Sequence, residues 1–314
     1  MLYNLLTLDV NNYDSEYSNS LIKEYEMYDM NIHYFDDSNV TYLDLIGQGQ
    51  YSKVFTCQFP NGTIAAAKKL IPTEKWRLNR EIKILINAST CQNILKLYGV
   101  YGDEDYPIII TSYFPQGASK IRDIDDLKWF TKELFLTLSC LHSKGIFHRD
   151  IKWQNLLVSF ENKHLEIIDW GLSGFYRINH KYSPHVGTKS YEPPELLLEY
   201  QYYSTKVDIW AAGVVFLNLL FQCPSFFSAH DKIGVLQKEA NIFGSKRIEE
   251  YSKSLDIECP FLLESEKISF LEFALPHSRH LITFESLDLL KKILIIEEQD
   301  RPSADVVLQH SFLL

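Results

Sequence analysis

The sequence contains few cysteines, and they form no pattern typical of a metal site. Five cysteines are scattered over 314 residues without a Cys-x-x-Cys pair, so we expect no zinc site. The first twelve residues lack the basic start of a secretory signal and soon meet acidic residues. An odd number of cysteines without such a signal predicts reduced thiols and an intracellular location, in the cytoplasm or the nucleus. The five are Cys57, Cys91, Cys140, Cys223 and Cys259.

Long apolar runs, internal repeats and low-complexity segments are also lacking. Apolar stretches such as residues 209–221 are too short and too interrupted to span a bilayer, so no membrane association is expected. The hydrophobic fraction of 46% and the charged fraction of 23% are ordinary for a globular protein. These values exclude a largely disordered, collagenous or coiled-coil chain. A chain of this length can bury its core without disulfides or metals.

Basic residues are outnumbered, 31 against 41 acidic ones, which gives a formal net charge of -10. An acidic chain is a poor general binder of nucleic acid, so no direct nucleic-acid partner is expected. Residues 1–40 hold eight acidic residues and only Lys23 as a base, a net charge of -7. We therefore predict an acidic, extended N-terminal arm over residues 1–40 and a nearly neutral domain over residues 41–314.

The apolar pattern divides this domain into two parts. Up to residue 114 it alternates as in strands, with turn signals and one helical stretch, whereas beyond Pro115 amphipathic helices dominate. The sequence thus predicts an α+β fold, with a small antiparallel β lobe over 41–114 and a larger, mainly helical lobe over 115–314. Ligands tend to bind in the cleft between such lobes. The predicted strands of the first lobe are 42–46, 53–59, 63–70, 94–101 and 107–113, with a helix over 75–87.

The strongest functional signal is the sequence HRDIKWQN at residues 148–155. Five specified positions at fixed spacing rarely arise by chance, and this run resembles the catalytic loop of protein kinases. The resemblance implies that Asp150 accepts the proton of the attacking hydroxyl. It implies that Lys152 neutralises charge on the transferred phosphoryl group and that Asn155 holds a magnesium ion.

Three further motifs match that resemblance. Asp169 opens the sequence DWG fourteen residues after Asn155, where protein kinases have a metal-binding aspartate. On the predicted third strand, Lys68 resembles the lysine that contacts the α- and β-phosphates, and Glu81 in the next helix resembles its partner. Lys69 is the competing candidate, but strand alternation places it on the opposite face from Lys68 and Ala66.

The resemblance also implies a nucleotide pocket. The sequence GQGQYS at residues 47–52 lies between two predicted strands, where glycines allow the backbone to approach phosphates. Thr111 takes the gatekeeper position at the back of the pocket, and a residue this small is expected to admit larger inhibitors. The pocket residues implied are Ile46, Gly47, Gln48, Gly49, Ser52, Val54, Ala66, Lys68, Thr111, Ser112, Tyr113, Leu157, Ile168 and Asp169.

Within the protein kinases, the chain resembles the casein kinase 2 catalytic subunits. The runs GQGQYSKVF at 47–55, NREIKIL at 79–85 and IIDWGL at 167–172 are similar to that family, which has tryptophan after the metal-binding aspartate. Other matches are structural. The resemblance implies that Asp208 braces the catalytic loop and that Glu195 and Arg301 form a buried ion pair.

This resemblance implies a serine/threonine protein kinase with protein substrates and Mg²⁺. It implies ATP as phosphoryl donor, with GTP as an alternative. It further implies that the arm over 1–40 packs on the activation segment and keeps it active without phosphorylation. A regulatory subunit on the N-lobe sheet is a further partner that the resemblance suggests.

The residues that would read the substrate depart from the family pattern. Basic side chains before and within the N-lobe helix and in the activation segment bind acidic substrate residues in the family. Here Glu74 and Glu192 reverse the sign at two of those positions, and His185 is charged only at low pH. We therefore predict a weakened acidic preference. The substrate-specificity candidates are Lys75, Arg77, Arg80, His185, Lys189 and Glu192.

Two alternatives follow from these departures. The first is a serine/threonine kinase of the same broad group with non-acidic targets. The second is a pseudokinase scaffold, against which stands the complete set of catalytic residues, namely Lys68, Glu81, Asp150, Lys152, Asn155 and Asp169.

Overall fold

The computed structural model describes residues 30–49, 52–71, 75–115, 120–260, 264–265 and 267–314. Its first lobe is a six-stranded sheet with the strand order β1-β5-β6-β4-β3-β2. Neighbouring strands are antiparallel except β1, which pairs in parallel with β5. The strands are β1 (Tyr34–Phe35), β2 (Thr41–Gln48), β3 (Ser52–Gln58), β4 (Ile64–Leu70), β5 (Leu97–Gly102) and β6 (Pro107–Ser112).

One long helix, α1 (Lys75–Ala88), accompanies this sheet. Its apolar residues recur at helical spacing and are buried, as Leu78, Ile82 and Leu85 show. The buried face also contains polar residues, among them Arg80 and Glu81, which is unusual unless such groups are paired. Their partners are Lys68 of β4 for Glu81 and Gly171 of the second lobe for Arg80, and they belong to the site described below.

Helices build the second lobe around one apolar core. The most buried of them, α4, has almost no polar face, so it forms the centre of the lobe. The second lobe also contains a short hairpin, β8–β9, and a two-stranded antiparallel pair, β7–β10. The elements are α2 (Ile124–Ser143), β7 (Ile146–Phe147), β8 (Leu156–Ser159), β9 (His164–Ile167), β10 (Gly174–Phe175), α3 (Pro194–Leu197), α4 (Lys206–Leu220), α5 (Lys232–Phe243), α6 (Ser245–Ser254), α7 (Phe284–Ile293) and α8 (Ala304–Leu308).

The predicted α+β, two-lobed fold is confirmed, and most predicted elements lie within a few residues of their observed bounds. Strand β1 was not predicted, because two residues are too short to show a periodicity. No helix within the described ranges is both long and apolar enough to cross a membrane.

The described part of the N-terminal arm lies against the first lobe. Strand β1 extends the sheet at β5, and the backbone oxygen of Met30 accepts a hydrogen bond from Asn79 Nδ2 of α1 at 3.3 Å. Met30 and Ile32 pack against the core. Residues 1–29 lie outside the described residues, so the predicted packing of the arm on the activation segment remains a prediction.

The structure corrects the prediction that all five cysteines are reduced thiols. Cys91, which follows α1, and Cys140 of α2 form a disulfide across 49 residues of sequence, with their Cα atoms 5.7 Å apart. Within the described residues the free cysteines are Cys57, Cys223 and Cys259. The pairing could not be read from the sequence because Cys91 meets Cys140 only when the loop after α1 packs on α2, where Asn93 Nδ2 donates to Thr137 Oγ1 at 2.9 Å.

Replacement of Cys91 and Cys140 by serine is expected to lower the free energy of unfolding by up to about 4 kcal/mol, because the cross-link restricts the unfolded chain. Urea denaturation with and without reductant checks this. Cys223→Ser is the matched control and should leave the curve unchanged. Identical unfolding midpoints for the double variant and the wild type under oxidising conditions would contradict the expectation.

A fully buried carboxyl group lies in α5. Glu239 has no exposed surface, and neither of its carboxyl oxygens has a hydrogen-bond partner among the described residues. Burial raises the pKa of Glu239 well above its usual value of 4.5, and the charge of Glu195 adds to this while Arg301 opposes it. The folded protein therefore holds this proton where the unfolded chain has lost it, and stability falls as the pH rises above 4.5.

We expect Glu239→Leu to stabilise the protein, by roughly 1–3 kcal/mol at pH 8 and by less at pH 5. The gain should grow with pH because it removes a group whose ionisation opposes folding. Denaturant unfolding at a series of pH values measures it, with exposed Glu258→Gln as the control. A gain that does not depend on pH would show that Glu239 does not carry the effect.

Candidate active site

The catalytic loop follows β7 and brings three predicted residues together. The Asp150 carboxylate accepts hydrogen bonds from Lys152 Nζ at 2.8 Å and Asn155 Nδ2 at 2.8 Å. Thr188 Oγ1 lies 2.9 Å from both Asp150 Oδ1 and Lys152 Nζ. Thr188 was not among the predicted site residues. A carboxylate held by three donors is fixed in one orientation, which is what positioned proton acceptance requires.

Asp208, at the start of α4, holds the backbone of the catalytic loop in place. Its buried carboxylate accepts the backbone N–H groups of His148 at 2.7 Å and Arg149 at 2.8 Å, and it lies 3.1 Å from His142 Nε2. Burial acts to raise the pKa of Asp208, but the hydrogen bond and charge of His142 outweigh it and the pKa is lowered. The buried carboxylate therefore stays ionised and holds the loop, which agrees with the bracing role implied by the resemblance.

The lysine predicted on β4 meets two carboxylates. Lys68 Nζ lies 2.7 Å from Glu81 Oε1 of α1 and 3.3 Å from Asp169 Oδ1. Burial acts to lower the pKa of Lys68, but the charges of Glu81 and Asp169 outweigh it and raise the pKa. Lys69 instead lies over the Tyr42 ring at 3.4 Å on the other face of the strand. The geometry therefore separates the two candidates in favour of Lys68.

The donor set at the cleft fits a magnesium ion. The backbone N–H of Ile168 donates to the backbone oxygen of Asn155 at 2.9 Å, which holds Asp169 next to the catalytic loop. The Asn155 Nδ2 atom faces Asp150, which leaves its amide oxygen and the Asp169 carboxylate as the hard oxygen ligands that Mg²⁺ prefers. Bound there, the ion would offset the negative charge of the phosphates.

The Asp169 carboxylate is suited to that role. Burial acts to raise the pKa of Asp169, but the charge of Lys68 outweighs it, so the pKa is lowered and the group is ionised near neutral pH. Its backbone adopts a left-handed conformation with φ of 62°. The next residue, Trp170, is buried and donates its Nε1–H to Ile167 O at 3.1 Å, which anchors this turn to β9.

Apolar side chains predicted to contact the nucleotide base lie on both walls of the cleft. Their neighbours Ala65, Ala67 and Ile167 are buried, whereas the predicted side chains keep part of their surface exposed, as expected of a surface left open for a ligand. Those from the sheet are Ile46, Val54 and Ala66, and those from the second lobe are Leu157 and Ile168.

Strand pairing positions the residues predicted at the back and the roof of the nucleotide pocket. Thr111 is buried and lies opposite Ala66 across β4 and β6, with Ser112 and Tyr113 following at the strand end. In the β2–β3 hairpin, Gly47 lies opposite Val54, and the Gly49 N–H donates to Ser52 O at 2.9 Å. Gln48 ends β2. The tip of the loop, residues 50–51, lies outside the described residues.

The structure revises the prediction for Arg80 as a substrate-binding residue. Its side chain is buried, its guanidinium donates to the backbone oxygen of Gly171, and it stacks on Trp76 with 5.0 Å from Cζ to the ring centroid. Arg80 therefore connects α1 to the metal-binding turn. Helical spacing places Arg80 on the opposite side of α1 from Leu78 and Ile82, so its burial could not be read from the sequence.

Glu192 is revised as well. The predicted repulsion of acidic substrates requires an exposed charge, yet this side chain is 5% exposed and lies 3.4 Å from Lys232 Nζ of α5. Burial raises the pKa of Glu192, and the charge of Lys232 opposes that shift. Its negative charge is thus compensated within the protein. Lys232 was missed because nothing in the sequence of α5 indicates which residue it meets.

The other substrate-specificity candidates are exposed. Lys75 Nζ forms an ion pair with Glu104 at 2.7 Å, and His185 Nδ1 lies 3.9 Å from Glu199. Arg77 and Lys189 are exposed on α1 and on the activation segment. Glu74 lies outside the described residues.

Comparison with known proteins identifies the family of this chain. The protein kinase domain family matches residues 40–313, so the chain belongs to the protein kinases, which transfer phosphate from ATP and use Mg²⁺. A probable casein kinase II subunit alpha homolog from Encephalitozoon cuniculi (strain GB-M1) is 35% identical over 274 residues, covering 84% of this chain and 85% of that protein. The predicted resemblance to the casein kinase 2 catalytic subunits is thereby confirmed.

Proposed function

We propose that the chain is a serine/threonine protein kinase of the casein kinase 2 catalytic type, active without phosphorylation of its own activation segment. The observation that carries this proposal is the assembled site. Lys68 and Glu81 form their ion pair at 2.7 Å, and Lys152 and Thr188 both contact Asp150. In many kinases, these contacts depend on a phosphorylated segment.

The contacts of Arg149 support independence from phosphorylation. Many kinases use the arginine before the catalytic aspartate to bind the phosphorylated activation segment. Here the Arg149 guanidinium is buried and donates to the backbone oxygens of Leu172 at 2.6 Å and Ser173 at 3.4 Å. It also stacks on Phe147 at 4.6 Å. Backbone carbonyls thus occupy donors that a phosphate would otherwise take.

The substrate class we propose is protein serine and threonine residues with a modest preference for acidic neighbours. The exposed cations Arg77 and Lys189 favour acidic side chains, and Lys232 compensates the charge of Glu192. Fewer exposed cations remain than the family pattern provides, because Arg80 is buried. ATP is the proposed donor, with GTP as an alternative.

Peptide phosphorylation tests this preference. A set of peptides with one central serine and with Asp, Ala or Lys at each flanking position would be incubated with ATP and Mg²⁺. We expect transfer to be highest for acidic flanks, and Asp150→Ala should show none above background. Equal transfer to Asp- and Lys-flanked peptides would instead support a kinase with non-acidic targets.

A regulatory subunit on the first lobe remains part of the proposal. The β2–β4 strands expose apolar side chains, including Leu43 at 47%, Leu45 at 51% and Ile64 at 39%. Exposed apolar groups on a sheet are typical of protein contacts. We also propose an intracellular location, where ATP is available, although the disulfide of Cys91 and Cys140 does not support it.

A further inference from the structure

We propose that Lys232 of α5 determines how the enzyme reads the substrate residue next to the phosphorylated hydroxyl, by compensating the charge of Glu192. This inference rests on the proposed function and names a specificity-determining residue for it. Lys232 acts through Glu192 and is therefore a positioning residue.

The side chain of Lys232 contacts three residues of segment 184–196, which borders the active site. Its Nζ donates to Leu196 O at 2.9 Å and to Pro184 O at 3.2 Å, and lies 3.4 Å from Glu192 Oε2. The side chain is 20% exposed and Glu192 only 5%. A cation with two backbone acceptors and one carboxylate is held in place, so its charge is fixed beside Glu192.

Glu192 lies close enough to the reacting centre for its charge to matter. It lines the same narrow pocket as Asp150 and Thr188, beneath the activation segment. The charge of Asp150 acts to raise the pKa of Glu192, while Lys232 and Lys189 act to lower it. A substrate residue adjacent to the hydroxyl at Asp150 lies within one Cα spacing, about 3.8 Å, of the reacting residue and therefore enters this field.

Removing the Lys232 cation makes the electrostatic potential of the pocket more negative. With Lys232 present, Glu192 is neutralised and the exposed Lys189 sets the local potential. Without Lys232, burial and the charge of Asp150 raise the pKa of Glu192 further. Wherever Glu192 is ionised, its charge then adds to that of Asp150, and an acidic neighbour in the substrate meets like charge. Lys232 thus permits an acidic neighbour despite the glutamate.

The test compares three peptides with the same serine and with Asp, Ala or Lys directly after it. For Lys232→Met we expect the ratio of kcat/KM for the Asp peptide to that for the Ala peptide to fall about tenfold, mainly through KM, and the corresponding ratio for the Lys peptide to rise. The double variant Lys232→Met/Glu192→Gln should restore the Asp/Ala ratio. Lys232→Arg, which retains the cation, should preserve the wild-type order.

Equal losses on all three peptides would show that Lys232 is only structural and would overturn the inference. Should Lys232→Met fail to fold, Glu192→Gln alone decides, since the uncompensated Lys232 should then raise the Asp/Ala ratio. An unchanged ratio in that variant would also overturn it. Transfer to the Ala peptide by the wild type separates this outcome from a failure of the proposed function, in which no peptide is phosphorylated.

Discussion

Replacement of Asp150 by asparagine is expected to lower kcat for peptide phosphorylation by about 10²–10⁴-fold, with little change in KM for ATP. Asparagine keeps the shape of the side chain, and Thr188 can still approach it, but the amide cannot accept the hydroxyl proton. The loop itself should persist, because Asp208 holds the backbone of His148 and Arg149. Steady-state kinetics at saturating ATP measure the effect.

Exposed Glu161→Gln serves as the matched control for the Asp150 variant, because it also exchanges a carboxylate for an amide. It should retain wild-type kinetics. If Asp150→Asn lost activity only together with its folded structure, seen as a lowered Tm, the loss would report stability and not proton acceptance. Equal kcat for Asp150→Asn and the wild type would contradict the assigned role.

The variant Arg301→Met is expected to cost roughly 3–5 kcal/mol of stability, because it leaves Glu195 charged and buried without its partner. Neither side chain has exposed surface, and Arg301 binds Glu195 through two bonds at 2.7 and 3.0 Å. Arg301 also donates to the backbone oxygens of Lys206, Ile295 and Ile296, which its removal leaves unpaired. Denaturant unfolding measures the loss.

The double variant Glu195→Leu/Arg301→Met separates the two contributions. Removing both charges should recover much of the stability, because an apolar pair avoids an uncompensated charge in the core. Exposed Arg279→Met is the control for loss of a surface arginine and should change stability by less than about 0.5 kcal/mol. A single Arg301→Met variant as stable as that control would refute the buried ion pair.

The sequence predicted well those features that depend on local spacing. The catalytic loop carries Asp150, Lys152 and Asn155 within six residues, so their meeting follows from a short turn. Strand alternation likewise distinguished Lys68 from Lys69, since period-2 geometry leaves only one of them on the face of Ala66. The strands β2–β6 and helix α1 followed from the same periodicities.

Features that depend on contacts between distant segments were not predictable. Glu192 and Lys232 are forty residues apart. The resemblance placed Glu192 facing the substrate, and its negative charge then predicted repulsion of acidic residues. The disulfide of Cys91 and Cys140 forms only when the loop after α1 packs on α2. Arg80 was taken for an exposed cation because the resemblance assigned it to substrate binding and helical spacing places it opposite Leu78, whereas its burial depends on Gly171 in the second lobe.

The central claim is that this assembled site transfers the γ-phosphate of ATP to serine and threonine. The most direct measurement is the incorporation of labelled γ-phosphate into peptides whose only hydroxyl is on serine, threonine or tyrosine, with the unphosphorylated wild-type protein and with Asp150→Ala. Transfer to serine and threonine by the wild type, and none above background by Asp150→Ala, is the predicted result. Wild-type incorporation no greater than that of Asp150→Ala, or incorporation confined to tyrosine, would contradict it.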